Sequence, residues 1–124
     1  MPHTDMKMGD DGILRVAFIG DTGKQAAEAF IKALEPFLQA ASETKPLCAI
    51  MDSTQGGKLS VKGRKLYFDL NRDPRVGRVA VLGSNRYRRV LGQFILKATR
   101  RDNIRFFDLE QEAIAWLQAP LSGD

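Results

Sequence analysis

The chain has 124 residues, 44% of them hydrophobic and 27% charged, with a formal net charge of +4. This length suits one domain spanning 1–124 that buries roughly two thirds of its unfolded surface. Uncharged apolar runs such as "LCAIM" and "VAVLG" are too short to cross a bilayer, and the polar start "MPHTDMKMGDDG" has no signal-peptide core. The expectation is therefore a chain that is not transmembrane and is cytoplasmic. Cys48 is the one cysteine, which excludes an internal disulfide, and we read it as a core residue.

Residues 1–11 read either as a tail or as a first edge strand, in which Met6 and Met8 alternate with polar residues and "GDDG" makes the turn. "GILRVAFIG" (12–20) is a strand, apolar on both faces apart from Arg15. Asp21 or Thr22 offers an N-cap for a helix running to about Ser42, with Phe30, Leu34, Phe37, Leu38 and Ala41 on one face. Pro36 predicts a kink or short break in it. "PLCAIMD" (46–52) is a strand covered on both faces. Beyond the glycines, Leu59, Leu66 and Leu70 suggest a weaker helix that ends before Pro74.

"VGRVAVLG" (76–83) is another buried strand, after which Ser84 or Asn85 caps a third helix. Tyr87, Val90, Leu91, Phe94, Ile95 and Ala98 form its apolar stripe, expected to face the core. Arg88, Arg89, Gln93, Lys97, Arg100 and Arg101 lie on the other face. "NIRFFD" (103–108) is the last strand, and Asp108 with Gln111 resembles a capping box opening a helix through Leu117. Strands alternating with helices give an α/β fold: a single-layer mixed or mostly parallel sheet of four to five strands with about four helices.

Charge is unevenly distributed. From Lys58 to Arg105 there are 14 Lys or Arg against three acids, and between Asp73 and Asp102 there are eight basic residues and no acid. One region of the folded surface is thus expected to be positive.

"GILRVAFIGD", "CAIMDST", "GRVAVLG" and "IRFFDLEQEAIAWL", in this order and spacing, resemble the SpoIIAA-like branch of the STAS superfamily over about 12–118. The resemblance implies the STAS fold and, from its anti-sigma factor antagonists, binding to a partner protein and phosphorylation at a D-S-S-G turn after a central strand. Asp52 and Ser53 match that turn, and Thr54 stands at the phosphoacceptor hydroxyl. Gln55 departs from the expected glycine, and Gly56, Gly57 and Lys58 follow. The fold also resembles the lipid-binding Sec14 domain, though 124 residues leave little room for that family's extra helices.

From the residues alone, "DSTQGGK" carries three readings. It can be a plain strand-to-helix turn with Ser60 as cap. It can be a phosphorylation site at Thr54 or Ser53. It can also be an anion site in which glycine backbone, the next helix N-terminus and Lys58, Lys62 and Lys65 meet the charge. Ser84, Asn85 and Arg86 are expected at the same sheet edge, flanking Thr54 and Lys58. The glycine spacing before Lys58 is not that of a nucleotide-hydrolysing phosphate loop.

No metal, cofactor or catalytic residue is expected: the only histidine is His3, and Asp21 and Asp52 read better as helix caps than as a carboxylate pair. Nucleic acid is not expected either, because the aromatics among the basic residues belong to the apolar stripe. The sequence thus points to a non-enzymatic regulatory or protein-interaction module with an acidic protein partner. The alternative is a binding domain for a small anionic or lipid ligand at the strand-end edge, and a homodimer is compatible with either. A partner-binding module should expose an apolar patch beside the turn, whereas a ligand module should hold a deep apolar pocket with a few polar groups.

Overall fold

The computed structural model describes residues 3–83 and 86–120, with His3 by its backbone only. The elements run β1 (His3–Met8), β2 (Ile13–Thr22), α1 (Lys24–Gln39), β3 (Leu47–Leu59), α2 (Val61–Asn71), β4 (Val76–Leu82), α3 (Arg86–Thr99), β5 (Ile104–Phe107) and α4 (Glu110–Gln118). They build one mixed sheet in the order β1-β2-β3-β4-β5. β1 pairs antiparallel with β2, and the other three pairings are parallel.

Of the two readings of the first residues, the edge strand is the one formed. Asp11 makes its turn: the carboxylate accepts the Ile13 N–H at 3.1 Å and a two-pronged bond from Arg15 at 2.7 and 2.9 Å. Gly12 turns the chain at φ 80°, a conformation that costs glycine little.

The period of two along β2 and β3 divides the core. Leu14, Val16, Phe18, Leu47 and Ala49 meet Phe30, Leu34 and Leu38 of α1 on one face, with Tyr67 and Leu70 of α2 packed against them. Ile13, Ile50 and Ala80 meet Ala113 and Leu117 of α4 on the other, where half-buried Cys48 also packs. Such burial contributes roughly 1.5–3 kcal/mol for each large side chain.

Three local expectations are corrected. Helix α1 continues through Pro36 without a break. Pro36 lies in the last turn on the exposed side, so the one carbonyl it leaves unpaired is solvated. The N-cap of α1 is Gly23, with no side-chain cap, rather than Asp21 or Thr22. Leu109, also without a side-chain cap, takes the N-cap of α4 in place of Asp108; Glu110 and Glu112 in the first turn complement the helix dipole instead.

The third helix departs furthest from its pattern. α3 buries Gly92 and Ile95 and turns Tyr87, Val90 and Phe94 outward, with exposures of 44%, 61% and 63%. Gly92 sets this rotation, because a Cβ there would stand 2.5 Å from Cζ of Phe106. The helix approaches β5 along its smallest side chain, and the apolar stripe lies beside the line of contact.

Candidate functional site

β3 is the element that builds the site. It does not stop at Asp52 but runs through both glycines to Leu59, because β2 also extends and pairs with it to the end. The pairing steps from Ala17↔Asp52 to Ile19↔Gln55 and from Gly20↔Gly56 to Thr22↔Leu59. Each step places two residues of β3 opposite one of β2, the arrangement of a β-bulge. The first bulge is Ser53–Thr54, opposite Phe18. In the second, Gly57 and Lys58 lie opposite Asp21, and the Lys58 N–H donates to Asp21 Oδ1 at 2.8 Å. A Cβ at Gly57 would sit 1.9 Å from that oxygen, so only glycine admits the contact.

The bulge separates the two hydroxyls. Ser53 is 4% exposed, and its Oγ donates to the Leu82 carbonyl at 2.8 Å. Thr54 is exposed; its Oγ1 donates to Asp52 Oδ1 at 2.6 Å, and the same oxygen accepts the Thr54 N–H at 3.0 Å. Thr54 also packs on Gly83, which ends β4 at φ 68°.

The turn was expected to stand at the N-terminus of α2, and it does not. Ser60 caps α2 as expected, accepting the Gly63 N–H at 2.9 Å, but it lies six residues beyond Thr54. Lys58 and Lys62 are exposed, two residues to either side of that cap. Arg86, also exposed, opens α3 three residues after Gly83, whereas Ser84 and Asn85 lie outside the described residues. Arg88 points inward instead, and its guanidinium donates to the Gly57 carbonyl.

Much of the basic excess is engaged in holding the fold. Arg78 donates to the carbonyls of Trp116 at 2.6 Å and Ala119 at 2.9 Å, closing the C-terminus of α4. Arg101 does the same for α2 through the Asn71 carbonyl at 2.9 Å, and reaches Val76 O at 2.7 Å. Arg75 pairs with Asp73, which holds that carboxyl below the usual range through its hydrogen bond.

Two features were not legible in the sequence. One is a groove of about 750 Å³ between α2 and α3, where Val61, Phe68, Tyr87, Val90 and Phe94 are flanked by Arg64, Lys65 and Arg72. The other is a cavity of about 140 Å³ beneath α3, lined almost wholly by apolar side chains of the sheet and of α1, α2 and α3. Ser53, Tyr67, Asn71 and Arg88 are its polar walls. The Tyr67 hydroxyl is shut off from solvent and completes no hydrogen bond, although Thr22 stands beside it. Burial pushes its pKa up to about 12, against smaller opposing effects of Thr22 and Arg88. Among the described residues no cluster of His, Cys, Asp and Glu could hold a metal, and no helix is long and apolar enough to cross a membrane.

A five-stranded mixed sheet in sequential strand order with four helices gives an α/β domain of the SpoIIAA-like fold. The chain belongs to the SpoIIAA-like family, whose model matches residues 13–118. Its fold is similar to that of an uncharacterised Shewanella loihica protein of the DUF3478 family with a SpoIIAA-like fold. The TM-score is 0.75 at 21% identity, over 94% of this chain and 95% of that one. It is also similar to the anti-sigma factor antagonist SpoIIAA in its unphosphorylated form, with a TM-score of 0.70, 16% identity and coverage of 94% and 99%. The Bacillus cell fate determinant SpoIIAA in the phosphorylated form gives 0.67 and 15%, covering 93% and 99%. No curated protein matches the chain.

Proposed function

We propose that this chain is a non-enzymatic regulatory module that binds an acidic protein partner along the uncovered stripe of α3 and is switched by phosphorylation of Thr54. The observation that carries the proposal is the exposure of Tyr87, Val90 and Phe94, together with Val61 at 72%. Four large apolar side chains beside a groove are more than scattered surface residues, and a patch of this kind marks an interaction site. Arg64 and Arg72 along it, with Lys65 already paired to Asp69 at 3.1 Å, favour a partner with acidic residues around an apolar centre.

Thr54 suits the switch better than Ser53, because its hydroxyl is exposed whereas that of Ser53 is buried and donating. Asp52 already accepts the Thr54 proton at 2.6 Å, so a base stands at the nucleophile. Phosphate adds a charge of roughly −1.5 to −2. Repelled by Asp52, it would turn toward the start of α3, where Arg86 and the first-turn amides favour it. The similar fold that is known in a phosphorylated form supports this reading.

The test is to purify the tagged protein from its own cells beside the double variant Val90→Asp/Phe94→Asp. Intact and peptide masses should show one phosphate on Thr54, and a defined partner should co-purify with the parent chain and be lost from the variant. The same protein set on both chains, with no phosphate on Thr54, would reject the proposal.

A further inference from the structure

We propose that the free edge of β1 pairs with the same edge of a second copy of this chain, antiparallel about Met6, so that the two sheets join into one. The surface shares no residue with Thr54 or with the outer stripe of α3, so it stands or falls independently of that reading.

The register of β1 fixes what its edge offers. β1 pairs with β2 from His3↔Ile19 to Met8↔Leu14, and beyond it the Gly9 N–H donates to the Ile13 carbonyl at 2.9 Å. Gly9 and Ile13 are thus a hydrogen-bonded pair, and such pairs alternate with non-bonded ones along an antiparallel ladder. Lys7 and Asp5 therefore bond to β2, whereas Met8, Met6 and Thr4 turn their N–H and C=O groups outward. These three are self-complementary. With Met6 opposite Met6 of the second copy, Thr4 falls opposite Met8, and each outward N–H meets an outward carbonyl across the two-fold axis.

Charge selects this register. On the α4 side of the sheet, the exposed Asp5 of each copy stands opposite the exposed Lys7 of the other. Both occupy non-hydrogen-bonded positions of the new ladder, where facing side chains come closest. The neighbouring registers that keep the hydrogen bonds would set Asp5 against Asp5, or Lys7 against Lys7. On the other side of the sheet, half-buried Met6 packs against the core, and its two copies meet at the axis.

Neither helix layer blocks the approach. The Leu38 carbonyl and Glu35 of α1 face Arg75, and Phe30 meets Tyr67 of α2, so these residues mark the flank turned away from β1. The opposite flank carries exposed Ala29, Ala33 and Ala40, small enough for two helices to come close. On the other face α4 packs on β3, β4 and β5. Edges are commonly guarded by shortness, a bulge or proline. β5 has the first of these, with four residues; β1 has six, in unbroken register and without proline.

The experiment is sedimentation equilibrium of the whole chain from low micromolar to near millimolar concentration, with amide hydrogen exchange read by NMR. The mass should rise from one chain to two. The amides of Thr4, Met6 and Met8, which face solvent in a single copy, should become protected as it does. Lys7→Asp sets like charges opposite each other at both pairs and should weaken association about tenfold. Asp5→Lys/Lys7→Asp restores two opposite-charge pairs and should return to within about threefold of the parent chain. Circular dichroism of both variants at low concentration should match the parent chain, since both positions are exposed. A single chain at every concentration, a dimer indifferent to Lys7→Asp, no recovery in the double variant, or a dimer in which those three amides still exchange freely would each overturn the assignment.

Discussion

Replacing Gly83 with alanine tests how the candidate site is held. Two independent costs arise. At φ 68° a residue with a Cβ is strained by roughly 1–2 kcal/mol. The new Cβ would also stand 2.1 Å from Thr54 Cγ2 and 2.9 Å from the Thr54 main chain. The methyl of Thr54 can rotate away, but the main chain belongs to a bulge fixed by the Asp52 carboxylate, so relief requires a shift of β3. Overpacking of this kind costs about 1–3 kcal/mol, giving a loss of about 2–5 kcal/mol in urea unfolding. The double variant Gly83→Ala/Thr54→Ser removes only the Cγ2 contact and should recover about 1 kcal/mol. If Gly83→Ala lies within about 0.5 kcal/mol of the parent chain, Thr54 is not packed on Gly83 in solution and the reasoning fails.

Two further outcomes are expected. Asn103 Nδ2 donates to Asn71 Oδ1 at 2.9 Å and to the Gly77 carbonyl at 2.8 Å, all buried. Asn103→Leu leaves two acceptors unsatisfied and should cost about 2–6 kcal/mol. Asn71→Leu/Asn103→Leu, which removes one of those orphans, should cost clearly less than the two single changes together; strict additivity in urea melts would refute the paired network. Asp11 is held at about pKa 2 by the hydrogen bonds of Arg15 and the Ile13 N–H, below the ordinary aspartate value of 3.8. Since the folded value is the depressed one, its contribution is complete above about pH 4 and is lost as pH falls toward 2. Asp11→Asn should lower stability at neutral pH and converge with the parent chain near pH 2, and a difference constant across that range would exclude the role.

The sheet was readable because its strands are short apolar runs and their connections carry clear turn residues. Leu14, Val16 and Phe18 alternate with residues of the second face, and Phe30, Leu34 and Leu38 repeat at helical spacing; both patterns survive in the structure. The site was less readable, for two physical reasons. Glycines 56 and 57 look like a turn, yet Gly56 stays in register with Gly20 and Gly57 enters a bulge within a pair of extended strands, and nothing local announces that β2 continues to Thr22. The stripe of α3 is a true helical pattern, but periodicity reports which residues share a face and not which face meets the sheet. Gly92 decides that, and its signal is the absence of a side chain. Likewise, Arg78 and Arg101 could not be told from surface charges until the carbonyls they close were in place.

The placement of α4 affects how the chain emerges during synthesis. Helices α1, α2 and α3 cover one face of the sheet as each connects a strand to the next, so that side is roofed progressively. The opposite face receives only α4 among the described residues. Ile13, Ile50 and Ala80 therefore wait, bare and adjacent, until residues near Leu117 have left the ribosome. A nascent chain stalled after β5 would present an uncovered apolar sheet face, a surface prone to self-association.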